Sequence, residues 1–198
     1  MRVFFLYLII IFLVPSLHAA IEVDETWWSG SRVANNSFTS GIALKKTKKM
    51  GIQTTFAGAT GLAGLNIDLN FSEDFALSVG YGVSRGFQAI NIHAKQSLGG
   101  TSFIPYFVWG YSNWHAHGRE SGVYNTSPAI LAAKFLDAKE KRTGVFAKNI
   151  VYPGLGIQYI NLSGDWLGLG FFAEVLALVD INDFLAGPTA GIGTIYYF

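Results

Sequence analysis

The sequence predicts an all-β chain closed into an antiparallel up-and-down barrel that spans a membrane, and three observations predict it. Apolar residues recur with period two along most of the chain. The residues between them are Gly, Ser, Asn and occasional charges rather than the Lys, Glu and Thr of a water-facing sheet. The chain ends on an aromatic residue with another two places before it. Composition agrees, since 51% hydrophobic and 15% aromatic residues are too many for a water-exposed domain, yet the only long apolar run lies at the start.

That run reads as an export signal. Arg2 supplies a positive start, Val3 to Val14 an apolar stretch, and Pro15 and Ser16 end it. It is too short for a spanning helix, which needs about 20 residues, so cleavage is expected near Ala20. The division is then a signal peptide over 1–20, a segment 21–49 acting as linker, plug or extra strands, and a barrel over 50–198. Arg2 leaves with the signal, so 14 basic residues become 13 against 13 acidic ones. A neutral mature chain offers no electrostatic case for nucleic acid. The sequence contains no Cys, so a hydrogen-bonded closed sheet, not a disulfide framework, must hold an exported fold.

A strand over about 50–59 opens the barrel. Between 62 and 71, Ala63, Leu65, Ile67, Leu69 and Phe71 alternate with Gly64, Asn66, Asp68 and Asn70. After Ser72, Glu73 and Asp74, the run 75–83 sets Phe75, Leu77, Val79, Tyr81 and Val83 against Ala76, Ser78, Gly80 and Gly82. This all-small face suits a crowded interior. In 87–97, Ile90, Ile92 and Ala94 alternate with Asn91, His93 and Lys95. Strands at 101–117 and 145–162 come next. In 166–179, Leu169, Phe171, Ala173 and Val175 alternate with Trp166, Gly168, Gly170, Phe172 and Glu174. The last strand covers 185–198. Ten strands is the alternative to eight, with Phe38, Ile42 and Leu44 on one extra strand and Trp27 to Ala34 on another before an Asn35, Asn36 turn.

The final residues, Gly191, Ile192, Gly193, Thr194, Ile195, Tyr196, Tyr197 and Phe198, resemble the C-terminal signal of bacterial outer-membrane barrels. Thr194 departs from the apolar residue expected there. At the level of architecture the whole mature chain resembles the small eight-stranded membrane-anchor class. The resemblance implies that Phe198 and Tyr196 are recognised by the barrel-assembly machinery and that the chain lies in the outer membrane of a Gram-negative cell among lipid and lipopolysaccharide. A monomer is expected.

With Phe198 on the periplasmic side, the turns at 72–74, 98–100 and 163–165 all fall there, and the longest connection, 118–144, falls outside. Within it Ser127 can cap a helix that starts at Pro128, runs from Ala129 to Arg142 and stops at Gly144. Trp109, Tyr111, Trp114, Tyr152, Tyr159, Trp166, Tyr196 and Tyr197 lie toward strand ends, where they suit a headgroup belt. Lys45, Lys46, Lys48 and Lys49 read as a solvated turn ahead of a lipid-headgroup site.

Strand parity turns Asn66, Asp68, Asn70, Asn91, His93, Lys95, Gln158 and Glu174 into the lumen. Eight strands leave a bore that side chains fill, so these groups read as a plug of buried pairs, such as Lys95 with Asp68 or Glu174, ahead of a narrow pore. A lipid A-modifying enzyme is the sharpest alternative, with Ser112, His115 and Glu120 as rim candidates for nucleophile, base and orienting carboxylate. Ser112 and His115 have opposite parity, which favours an ordinary strand end. His115 and His117 share a face without a defined third metal ligand. A soluble barrel binding a hydrophobic ligand would need the inverse distribution, apolar inside and polar outside. The preferred reading is therefore a structural or surface-interacting membrane barrel without cofactor or metal.

Overall fold

The computed structural model describes residues 37–117 and 130–198. The proposed signal peptide, the run Trp27 to Ala34 and the Asn35, Asn36 turn lie outside the described residues. Eight antiparallel strands pair in chain order: β1 Met50–Ala57, β2 Ala63–Asn70, β3 Phe75–Ser84, β4 Phe87–Ser97, β5 Phe103–His117, β6 Val145–Ile160, β7 Leu169–Asp180 and β8 Ala186–Tyr197. The barrel closes where β1 meets β8, in a register running from Gly51 opposite Tyr197 to Ala57 opposite Gly191.

Closure leaves no free edge, so an added strand has nothing to pair with. Phe38, Ile42 and Leu44 accordingly do not form a strand. Ile42 and Leu44 lie on a helix, α1, over Gly41–Thr47, whose first turn is capped where the Ser40 hydroxyl accepts from the Ala43 N–H at 3.1 Å. The helix is tethered at its start by the Gly41 N–H, which donates to the Thr101 carbonyl at 2.8 Å.

Period two decides which side chains face out. Ile67, Val79, Ile92, Leu155, Val175 and Ile192 all lie exposed on the outer face. In water they would make an apolar surface far larger than a soluble monomer tolerates. Alternate residues turn inward, where Gly relieves crowding at the closest approaches. A Cβ on Gly110 would stand 2.6 Å from both the His93 Cβ and the Tyr152 hydroxyl.

The aromatic residues divide between the two faces. Trp109, Tyr111, Trp166 and Tyr196 are exposed, whereas Trp114, Tyr152 and Tyr197 are buried inside and contribute nothing to a headgroup belt. The difference is parity, since strand ends supply belt residues from the outward rows alone.

Strand lengths are unequal. β1 and β2 have 8 residues each, β5 has 15 and β6 has 16, so the wall is tallest on the β5–β6 side. Of the connection between them, 118–129, including Ser127 and Pro128, lies outside the described residues. The remainder, 130–144, does not form one helix to Arg142. A π-helical turn covers Leu131–Phe135, the chain turns extended at Leu136, and α2 begins afresh over Ala138–Thr143. Asp137 is the cause: its carboxylate accepts from the Glu140 N–H at 2.6 Å, and the Glu140 carboxylate accepts from the Asp137 N–H at 2.9 Å. That reciprocal capping box starts a helix at residue 138 and so interrupts any earlier one. Gly144, at φ 66°, ends it.

β7 likewise starts later than the alternation suggests. Trp166 to Gly168 form a turn in which Gly168, at φ 88°, donates to the Asn161 carbonyl at 2.9 Å. Trp166 therefore stands outside the barrel, 68% exposed, and not on the row of Glu174.

Candidate functional site

Asn66, Asp68, Asn70, Asn91, His93, Lys95, Gln158 and Glu174 are all buried on the inward faces of β2, β4, β6 and β7. The fold brings most of them into one network. Lys95 Nζ lies 3.4 Å from Asp68 Oδ1 and also donates to the Gln53 side-chain oxygen. Asp68 accepts in addition from the Ser78 hydroxyl and, at 3.1 Å, from the Tyr197 hydroxyl. Tyr197 in turn accepts from the Gln158 amide at 3.1 Å. A fully buried carboxylate is tolerable because three donors, one of them a cation, surround it. Glu174 does not take Lys95 as its ion-pair partner; it accepts from the Tyr106 hydroxyl at 3.2 Å. Asn66 donates to Thr55 at 2.9 Å, and Asn70 to the Lys48 carbonyl at 2.9 Å. Asn91 Oδ1 and His93 Nε2 have no hydrogen-bond partner among the described residues, and the His93 ring faces that of Tyr152 at 6.5 Å.

Both ends of the network are covered. At the end holding the start of β1 and the finish of β8, α1 packs Leu44 against Ile104, Ile160, Ile195 and Tyr197. Lys45 on the same helix is buried, donates to the Ser97 hydroxyl at 3.1 Å and sits 5.9 Å over the Tyr197 ring. Burial pushes its ammonium down from 10.5 to about 8, partly opposed by Asp68 and reinforced by Lys95.

At the opposite end the β1–β2 connection turns inward. Its 3-10 turn, Gly58–Thr60, is entirely buried, and the Ala59 carbonyl accepts from the Ser112 hydroxyl at 3.0 Å and from the Trp114 indole at 2.7 Å. Above it Phe87, Trp114 and Phe146 pack together with Leu131 and Phe135 of the π-helical turn. Lys148, near the start of β6, ties this covering down. Its Nζ lies 3.0 Å from Asp183, 3.3 Å from Glu140 on α2 and 3.6 Å from Asp180.

The backbone has known counterparts. It is similar to the N-terminal β-barrel domain of Pseudomonas aeruginosa OprF, with a TM-score of 0.50 and 14% identity, over 75% of this chain and 95% of that one. The fold is that of the small outer-membrane barrels. The Yersinia pestis outer membrane protein Ail in a phospholipid bilayer nanodisc gives a TM-score of 0.40 at 13% identity, covering 75% of this chain and 97% of that one. At these identities the likeness concerns the fold alone. No protein-family model and no curated protein sequence matches the chain.

Within this barrel fold Ser112 and His115 do not share a face. Ser112 is fully buried with its hydroxyl committed to Ala59, while His115, three residues on, belongs to the opposite, outward row with Tyr111 and Asn113. Glu120 and the His117 side chain lie outside the described residues. Among the described residues no three His, Cys, Asp or Glu side chains come together as a metal site.

The residues that sequence reasoning missed are those completing the lumen network: Gln53, Tyr106, Tyr197, Lys45 and Lys148. Parity carried a signal for four of them. Tyr197 alternates with the outward Tyr196 and Phe198, Gln53 with Ile52 and Thr54, Tyr106 with Pro105 and Phe107, and Lys148 with Ala147 and Asn149. Lys45 carried no such signal because its helix follows a different period.

Proposed function

We propose that this chain is an exported outer-membrane barrel whose lumen is plugged, with a structural or surface-interacting role and no catalytic one. The observation that carries the reading is the layered interior: α1 below, the Asp68 and Lys95 network in the middle, and the inturned Gly58–Thr60 with Phe135 and Trp114 above. A solute crossing the barrel would have to displace all three layers. The exposed apolar rows supply the lipid-facing surface, and the terminal Phe198 and Tyr196, stacked at 6.5 Å on the outward face, supply the surface offered to the assembly machinery. The N-terminal residues to Ala20 act as the cleaved signal, α1 marks the periplasmic end, and the β5–β6 connection faces the outside with lipopolysaccharide around it.

Fractionating expressing cells and running the membrane fraction with and without boiling tests the location, since a closed barrel stays folded in detergent and shifts on heating. The refolded chain in a planar bilayer tests the plug. We expect a heat-modifiable outer-membrane band and no stepwise conductance. A soluble periplasmic band would overturn the membrane reading, and regular conductance steps would overturn the plug.

A further inference from the structure

Of the four lysines in 45–49, three are sorted by the fold. Lys45 enters the lumen, and Lys46 reaches Glu73 at 3.9 Å in solvent. Lys48 is held by its backbone: its N–H donates to the Leu44 carbonyl at 2.7 Å and its carbonyl accepts from the Asn70 amide at 2.9 Å. Its side chain thus departs from a fixed point. Opposite stands the β6–β7 turn, also fixed. Ser37 bridges to Ser163, the Phe38 N–H donates to the Leu162 carbonyl at 2.9 Å, and the Asn161 amide donates to the Ser163 carbonyl at 3.1 Å.

Between them lies a cavity of about 600 Å³ lined by Ser37, Lys48, Ser163, Asp165, Leu167 and Tyr196, with Gly164 at the turn. The side chains of Lys48 and Asp165 make no ion pair or hydrogen bond among the described residues. Tyr196 belongs to the outward, lipid-side face, and Trp166 beside Asp165 is exposed.

We infer that this cavity binds the headgroup of a zwitterionic phospholipid, a phosphoethanolamine, with phosphate on Lys48 and ammonium on Asp165. The inference rests on the membrane reading above and gives that barrel a ligand at its periplasmic rim. Lys48 and Asp165 put one cation and one anion on the lining of a single cavity, which matches a ligand that carries both signs. A purely anionic headgroup meets Asp165, and a purely cationic one meets Lys48. The hydroxyls of Ser37 and Ser163 add donors for phosphate oxygens, and Leu167 and Tyr196 give the acyl chains an apolar path toward the bilayer. The volume exceeds what one headgroup needs and so admits the glycerol as well.

The experiment uses the refolded chain in nanodiscs containing equal amounts of phosphatidylethanolamine and phosphatidylglycerol, with lipids retained after delipidation counted by native mass spectrometry. We expect the ethanolamine lipid to be retained over the glycerol lipid by about fivefold, the discrimination that one partly exposed ion pair provides. Asp165→Asn should turn that preference toward phosphatidylglycerol, and Lys48→Gln should abolish retention of both. Free phosphoethanolamine should compete only weakly, since it lacks the acyl chains that follow Leu167 and Tyr196. Equal retention of the two lipids, an unchanged preference in Asp165→Asn, or binding of free phosphoethanolamine as tight as that of the lipid each overturns the proposal. A heat-modifiable barrel without lipid selectivity defeats this inference alone; a chain that neither enters the discs nor shifts on heating brings down the membrane reading with it.

Discussion

Thr54 Oγ1 and Thr194 Oγ1 stand 2.7 Å apart on the outward side of the seam where β1 closes on β8. Thr194 is the residue that departs from the apolar pattern of the C-terminal signal, and its partner explains how a hydroxyl is tolerated on an outward face that is otherwise apolar. In the proposed bilayer, where no water is available, each would satisfy the other.

Thr194→Val should therefore cost about 1–2 kcal/mol, because it strands the Thr54 hydroxyl rather than merely removing a bond. The double change Thr54→Val with Thr194→Val should return close to wild-type stability. Urea unfolding of the vesicle-inserted barrel measures all three variants. A double variant as unstable as the two single losses combined would show that the pair is not what matters at the seam.

Asp68→Leu removes the partner of a Lys95 ammonium that is itself buried, and should destabilise the barrel by about 3–5 kcal/mol. Adding Lys95→Met should recover most of that loss, since the stranded charge is gone. The readout is the temperature at which the folded band disappears on a gel. No recovery in the double variant would place the cost elsewhere in the network.

Val175→Arg puts a charge on the outward face at a residue 62% exposed and should cost about 2–4 kcal/mol near the bilayer midplane. Gly168→Ser, which period-two alternation places on a forgiving lumen row, should also be costly, by at least about 1 kcal/mol. The backbone there is at φ 88° and a Cβ would meet the Tyr197 carbonyl at 2.6 Å. Vesicle refolding yields and urea midpoints would register both, and a neutral Gly168→Ser would contradict the turn.

Lys45 makes stability depend on pH in an unusual direction. Its folded pKa is about 8 against an ordinary 10.5. Below pH 8 both states hold the proton and no slope arises. Between pH 8 and 10.5 the unfolded chain keeps a proton that the folded chain has released, so stability should rise with pH, by up to roughly 3 kcal/mol across the window. Lys45→Met should remove that rise. Matching slopes for the two proteins in urea titrations at stepped pH would mean that the helix does not bury its lysine.

Lys148→Met should loosen the covering at the loop end, because Glu140 and Asp183 lose their cation and the fully buried Asp180 loses its counter-charge. Faster amide exchange over 131–143, with β6 and β7 still protected, is the expected result. Unchanged exchange would mean that apolar packing of Leu131 and Phe135 alone holds the segment.

The barrel was legible because its strands obey a single rule. The expected runs at 75–83, 87–97 and 101–117 agree with β3, β4 and β5 to within two residues at either end, since one apolar face out and one crowded face in leave little freedom of register. What escaped was local chemistry that breaks period two. Ser40 caps a helix in a stretch whose apolar residues mimic alternation, and Asp137 with Glu140 restarts a helix that composition alone would run together. For the interior, parity gave the inward positions and charge complementarity offered Lys95 either Asp68 or Glu174, of which Asp68 is the partner. It did not give the phenol of Tyr197 as the link between Asp68 and Gln158, because a Tyr in a terminal aromatic cluster reads as a belt residue until the neighbouring strands are in place.

The hydrogen bond from Tyr197 to Asp68 joins residues 129 positions apart in sequence, one on the last strand and one on the second. The bond exists only where the last strand is in place. Without β8 docked against β1, Asp68 would lack one of the three donors that surround it. Closing the seam and completing the shell around the buried carboxylate are thus the work of the same strand. A chain cut short by two residues would lose that phenol together with the terminal Phe, leaving a carboxylate partly hydrated inside an otherwise finished wall.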